Sequence, residues 1–136
     1  MERKEALIIL REWLQWQSAH TGYEPSDKYR PLPDFFRWEL YDAGIVGHGE
    51  RSVIDGRQRD AGGQTLKYHN EPYTRTIPFA DLVKIEREGR LVKLFGAKDK
   101  SAGPFNFALA LLVVPPGERP ASEYCSALLA LCPNVK

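Results

Sequence analysis

Few residues in this chain combine the types and spacings that chemistry requires. The clearest cluster is Gly47-His48-Gly49-Glu50, where a flexible backbone presents an imidazole beside a carboxylate. With Asp55 or Asp60 such a pair can act as a general base or hold a divalent ion. A metal-dependent hydrolase around His48 is therefore one reading. Nothing in the pattern supplies a defined third ligand or a nucleophile, so a glycine-rich turn with polar tips accounts for the same residues. His20, His48 and His69 are far apart, and no His-x-x-His or Cys-x-x-Cys pair exists, which argues against a structural zinc site. Ser52 and Ser101 lack a nucleophile elbow. The phosphate-loop pattern Gly-x-x-x-x-Gly-Lys-Ser/Thr is absent, and Gly62-Gly63 belongs to none. Glu86 and Glu88 fall at an expected hairpin turn that points to solvent. These residues give no catalytic set, no metal site and no cofactor, and the expectation leans away from an enzyme.

A stronger signal is charge. Residues 1–50 carry six Lys/Arg against nine Asp/Glu, residues 51–100 carry eleven against seven, and residues 101–136 carry two against two. An acidic front and a basic middle hide behind a net charge of +1. Arg51, Arg57, Arg59, Lys67 and Arg75 span the middle, interleaved with Tyr68, His69 and Tyr73. Basic residues for phosphates and tyrosines for stacking are what a single-stranded nucleic-acid surface needs. Asp55, Asp60, Glu71, Glu86, Glu88 and Asp99 lie in the same region, and a pI of 7.8 is low for a dedicated nucleic-acid domain. The expected binding residues are Arg51, Arg57, Arg59, Lys67, Tyr68, Tyr73 and Arg75. Whether they share one face decides between a site and a solvated sheet.

These residues need elements to position them. A chain of 136 residues fits one domain, and 43% hydrophobic against 27% charged residues is ordinary for a globular protein. The N-terminus is mixed in charge and does not read as a signal peptide. The longest apolar run, 107–114, is too short to cross a bilayer as a helix. Cys125 and Cys132, seven apart on an expected helix, would hold their Cα atoms roughly 10 Å apart, too far for a disulfide. Both read as reduced thiols on an apolar face, which points to a cytoplasmic protein that does not touch membranes.

Residues 3–19 read as an amphipathic helix with Ala6, Leu7, Ile9, Leu10, Trp13, Leu14 and Trp16 inward and Ile8 exposed. A second helix is expected over 34–43, with Asp34 as N-cap and Gly44 as stop. It would bring Phe35, Phe36, Trp38, Leu40 and Tyr41 to the core beside Trp13 and Trp16. The glycine-rich stretch 44–65 follows, with Asp55-Gly56 as a hairpin signal. Strands are expected at 65–69 and 73–79, split by a turn at Asn70-Glu71-Pro72. A hairpin is expected over 82–87 and 90–95, with Gly89 left-handed. In its first arm Phe79, Val83 and Ile85 share a face; in its second, Val92 and Leu94 oppose Leu91, Lys93 and Phe95. Residues 105–114 form a buried strand or helix, with the Val-Val end and Pro115-Pro116 favouring strand. Such a strand can pair across a homodimer. A last helix over 120–131 presents Tyr124, Cys125, Leu128, Leu129 and Leu131.

The order of elements points to an α+β fold: a small antiparallel sheet of about four to five strands packed by N-terminal and C-terminal helices. The expected organisation is helical over 1–43, glycine-rich loop and strands over 44–114, and helix over 120–131.

One stretch carries a resemblance. Leu10-Arg11-Glu12-Trp13-Leu14-Gln15-Trp16, followed by Gly22-Tyr23-Glu24-Pro25-Ser26, resembles the start of phage late-gene antitermination proteins. Those show a Trp-x-x-Trp helix and then a Gly-Tyr-Pro-Ser-like segment; here Glu24 is inserted. After residue 30 the likeness stops, because those proteins continue as helices and this chain turns to strands. The resemblance implies a phage or mobile-element origin and nothing about mechanism. Small size, the lack of a catalytic set and segregated charge favour a non-catalytic protein that binds another macromolecule, such as a binder or inhibitor of a host protein complex. The alternative is a nucleic-acid-binding module built on 51–75.

Overall fold

The computed structural model describes residues 1–20, 34–54, 68–97 and 108–136. Its elements are α1 (Arg3–Ala19), β1 (Asp34–Tyr41), β2 (Gly44–Ile54), β3 (Tyr68–Pro78), a 3-10 turn (Phe79–Asp81), β4 (Leu82–Glu88), β5 (Leu91–Gly96), β6 (Ala110–Val113) and α2 (Ala121–Leu131). The fold is α+β, as expected, with a helix near each end. The strands number six rather than four to five, and they form two three-stranded antiparallel sheets, β1-β2-β3 and β4-β5-β6, rather than one.

The expected helix over 34–43 is a strand. The register with β2 slips between Phe35 and Arg37. That bulge inserts one residue, so the core-facing side chains fall at Phe35, Trp38 and Leu40, and a spacing of three imitates a helix. Gly44 is no helix stop but the first residue of β2, after the Asp42-Ala43 turn, where a Cβ would run into the carbonyl of Ile77. The Asn70-Glu71-Pro72 turn is also absent: β3 runs unbroken and pairs with β2 from Ile54↔Tyr68 to Gly44↔Pro78. Asp55-Gly56 lies outside the described residues, and Ile54 pairs with Tyr68 rather than across a two-residue turn.

Proline within a strand requires that its nitrogen face away from the ladder. Phe79 N–H donates to the Ala43 carbonyl at 2.8 Å, which makes 43 and 79 a hydrogen-bonded pair. By alternation the even-numbered residues of β3, Pro72 and Pro78 included, turn their main-chain groups outward. The β4–β5 hairpin forms with Gly89 at φ 61°. Val92 and Leu94 are fully buried, while Leu91, Lys93 and Phe95 are half-buried on the other face. In β4 a register shift between Leu82 and Lys84 leaves Val83 exposed, so it does not share a face with Phe79, which sits buried in the 3-10 turn. The strand in 105–114 is β6, covering 110–113; residues 105–107 lie outside the described residues. In α2, Tyr124, Leu128 and Leu131 are buried, but Leu129 faces outward.

Helix α1 ties the two sheets together. Ala6, Ile9, Leu10, Trp13, Leu14 and Gln17 are its buried stripe. Trp13 has no exposed surface, packs edge-on against Tyr124 at 5.3 Å, and donates Nε1–H to the Val113 carbonyl at 2.8 Å. One turn on, Gln17 Oε1 accepts from Val113 N–H at 2.8 Å. Val114 N–H bonds the Arg90 carbonyl on the β5 side, so the main-chain groups of Val113 face outward. At Val113 the outer edge of β6 is thus occupied by two helix side chains. Ser18 does the same for β1: its Oγ accepts from Trp38 N–H at 2.8 Å and donates to the Leu14 carbonyl at 2.7 Å, with the Trp38 carbonyl 3.3 Å away. At these two positions the main-chain groups are not available to a further strand. Ile8, as expected, is exposed, whereas Trp16 is only half-buried and stacks on His20 at 4.3 Å.

Candidate functional site

The expected binding residues divide. Arg57, Arg59 and Lys67 lie outside the described residues. Arg51 pairs across from Glu71, Gly49 from Tyr73 and Gly47 from Arg75, so Arg51, Tyr73 and Arg75 occupy one face of the first sheet. Tyr68 has the opposite parity and lies on the other face, more than half exposed.

The shared face depends on Gly47. A Cβ at Gly47 would stand 2.8 Å from atoms of the Phe35 and Trp38 rings, so glycine there lets the aromatic side chains of β1 lie flat on β2. Phe35 packs against Trp38 at 4.8 Å and reaches Tyr73 at 6.1 Å. Arg51 lies over the Tyr73 ring at 5.0 Å, and Arg75 lies over the Tyr73 and Phe35 rings at 5.5 and 5.8 Å. The Arg75 guanidinium is held further by the Tyr73 hydroxyl at 3.2 and 3.3 Å and by the Leu109 carbonyl at 2.8 Å. Arg51 stands 3.8 Å from Glu71, which also meets His69 at 3.0 Å. The result is an aromatic floor with two guanidinium groups and one carboxylate at the end of the sheet away from α1. Phe35, which the sequence reading assigned to a helix, is the missing floor of this surface.

Among the described residues, three further cations of the basic middle have partners nearby. Lys84 binds Glu86 at 2.7 Å, Lys93 binds Glu88 at 3.0 Å, and Arg90 donates to the Val114 carbonyl at 2.8 and 3.1 Å. The Lys84 ammonium holds the Glu86 carboxyl below its ordinary range. Arg87 is the described cation of this region without such a partner.

His48 faces the other side and does not pair with Glu50. Its Nε2 meets Glu39 Oε2 at 3.0 Å, and its Nδ1 meets Thr74 Oγ1 at 3.3 Å. Arg37 bonds the other oxygen of Glu39. The hydrogen bond from His48, with help from Arg37, lowers the Glu39 pKa. Hydroxyl, imidazole and carboxylate thus stand in the order of a nucleophile, base and orienting acid. Acyl transfer also needs donors aimed at an oxyanion. Here β2 is a central strand, and its N–H groups point in the plane of the sheet at neighbouring strands. The chain Arg37–Glu39–His48–Thr74 reads as a cross-strand polar ladder that fastens β1, β2 and β3. Among the described residues no group of three or more His, Cys, Asp and Glu is placed to hold a metal; Asp55 and Asp60 lie outside them.

A cleft of about 330 Å³ lies between α1 and the β1–β2 turn, lined by Arg3, Leu7, Arg11, Leu40, Tyr41 and Asp42. Arg3 already spans it to the Asp42 carbonyl at 3.0 Å. Cys125 and Cys132 are both free thiols; burial raises the pKa of each, that of Cys132 to about 11. Burial thus favours the neutral thiol form of both at neutral pH. No helix among the described residues is long and apolar enough to cross a membrane. No protein family, curated protein sequence or solved structure matches this chain.

Proposed function

We propose that this chain is a non-catalytic protein-binding module whose contact surface is the Phe35–Arg51–Tyr73–Arg75 face of the first sheet. The observation that supports this reading is the state of its cations. Among the described cations of residues 51–100, Arg51, Arg75, Lys84, Arg90 and Lys93 each have a partner within the protein, and Arg87 alone does not. A nucleic-acid surface needs cations free to displace counterions from phosphates. It also needs open aromatic faces for bases, and here both guanidinium groups already lie over Tyr73. A rigid aromatic floor with fixed arginines is, by contrast, the composition of a protein-interface anchor. The sequence-level idea of a binder or inhibitor of a host protein complex belongs to this reading.

The test has two arms. Titration with short single- and double-stranded oligonucleotides at two salt concentrations is expected to show no salt-sensitive binding. Cross-linking in extracts of the source cells is expected to recover protein partners that Arg51→Glu and Tyr73→Ala both lose. Salt-sensitive oligonucleotide binding weakened by Arg51→Glu would replace this reading with the nucleic-acid one. A partner set indifferent to both substitutions would move the contact surface elsewhere.

A further inference from the structure

Two of the four sheet edges are closed by α1, at Trp38 of β1 and at Val113 of β6. The β4 edge is protected in another way: it carries Lys84, Glu86, Arg87 and Glu88 and is kinked where Val83 bulges. Among the described residues, the outer edge of β3 has no such protection. Its outward N–H groups are those of Tyr68, Asn70, Thr74 and Thr76, and among the described residues none of them has a partner. All four residues are exposed.

We propose that β3 pairs with β3 of a second copy of this chain, antiparallel about a two-fold axis through Tyr73. The argument is self-complementarity. Tyr73 is the central residue of Tyr68–Pro78, and Glu71 and Arg75 flank it symmetrically. A dyad at Tyr73 sets Glu71 opposite Arg75 of the second copy, and Arg75 opposite its Glu71. These are non-hydrogen-bonded positions, where side chains approach most closely, with Cα atoms about 4.5 Å apart. Arg75 uses one N–H each on Nε, Nη1 and Nη2 in its bonds to Tyr73 and Leu109, leaving one donor on each terminal nitrogen. Glu71, which meets Arg51 and His69 within the single chain, turns outward on pairing to reach them. On the backbone, Asn70 and Thr76 exchange two bonds with their counterparts, Thr74 N–H meets the Pro72 carbonyl, and Tyr68 N–H meets the Pro78 carbonyl. Every outward donor is satisfied, and the prolines sit where only their carbonyls are needed.

The flanking registers lose both ion pairs: a dyad at Thr74 sets Glu71 against Ile77 and Arg75 against Tyr73, and a dyad at Pro72 sets Glu71 against Tyr73. A dyad at Arg75 brings two arginines together. The dimer is isologous, the usual form for two identical chains. It joins two three-stranded sheets edge to edge and sets two Arg51–Tyr73 faces side by side. Pairing one strand edge buries less than the about 1,600 Å² of a standard interface, so the dimer is a reversible one with a dissociation constant on the order of micromolar or weaker. It stands independently of the partner-binding reading above.

Sedimentation equilibrium on the full chain, from about 10 μM to about 1 mM, tests the proposal. The wild type is expected to pass from monomer to dimer. Glu71→Arg and Arg75→Glu are each expected to weaken association about tenfold or more, since each sets like charges opposite one another. An equimolar mixture of the two variants restores both ion pairs and is expected to form a heterodimer. Because Arg75→Glu also removes the bond to Leu109, a second probe leaves Arg75 intact. Tyr73→Cys is expected to cross-link to itself under mild oxidation, since its Cα spacing suits a disulfide, whereas Thr74→Cys, which faces Pro72, is not. A wild type that stays monomeric throughout, or a dimer that ignores Glu71→Arg and lacks the Tyr73→Cys cross-link, overturns the proposal.

Discussion

Replacing Gln17 by Met removes one acceptor and changes little else. The two side chains have similar length and both suit a helix. Gln17 is buried, and its Oε1 is the partner of Val113 N–H at 2.8 Å. In Gln17→Met that N–H is left without an acceptor in a site that water does not reach, since Val113 is 8% exposed. An unsatisfied buried donor costs about 1–3 kcal/mol. For a domain of this size that corresponds to a fall in melting temperature of about 3–9 °C. Trp13→Phe removes the other half of the clamp by leaving the Val113 carbonyl unpaired. It also opens a void where the indole lay, so its cost is larger. Because both substitutions act on one residue, their effects are expected to be non-additive. Thermal melts followed by circular dichroism, with hydrogen exchange read at the Val113 amide, measure both quantities. A melting temperature within about 1 °C of wild type, together with unchanged protection at Val113, would refute the edge-closing role of α1.

The remaining predictions use other parts of the structure. Gly47→Ala drives a Cβ to 2.8 Å from the Phe35 and Trp38 rings and is expected to cost about 1–3 kcal/mol in a urea titration. Gly89→Ala, at φ 61° with nothing nearby to clash, is expected to cost about 1 kcal/mol through backbone strain alone. Glu39 has a folded-state pKa below its ordinary value of 4.5. Its bond to His48 therefore stabilises the fold above that value and is lost as pH falls through the lowered one. Wild type is expected to lose stability more steeply than Glu39→Gln below about pH 4.5, and parallel urea midpoints across that range would contradict the assignment. With its pKa near 11, the Cys132 thiol is expected to react with Ellman's reagent at pH 8 about a hundredfold more slowly than an ordinary thiol, and rapidly once denatured. Fast reaction in the native state would show that the site is open.

Helices α1 and α2, the Gly89 turn, the alternation of β5 and the strand at 110–113 were legible because local signals and burial agree there. The failures have local causes. In β1 a bulge at Phe36 moved Trp38 three residues from Phe35, and Asp34 and Gly44 sat where caps would sit, so a strand carried a helical pattern. In β4 a bulge turned Val83 outward for the same reason. Pro72 read as a turn because its place on an edge, with nitrogen outward, depends on which strands β3 pairs with, and no local pattern encodes that. Of the site, Arg51, Tyr73 and Arg75 were chosen from composition and do share a face. Tyr68 was chosen on the same grounds and does not, since side-chain parity follows from register. Phe35 was missed because its secondary structure was misassigned. Gln17 was missed because its role depends on a strand 96 residues away.

Among the described residues, α1 occupies the edge of β1 at Trp38 and that of β6 at Val113 and leaves the β3 edge open. Residue-resolved hydrogen exchange measures it directly. The amides of Trp38 and Val113 are expected to be strongly protected although both lie on strand edges. Those of Thr74 and Thr76 are expected to exchange quickly in dilute solution and to gain protection as concentration rises. Trp38 and Val113 amides that exchange as fast as those of Thr74 and Thr76 in dilute solution would contradict it.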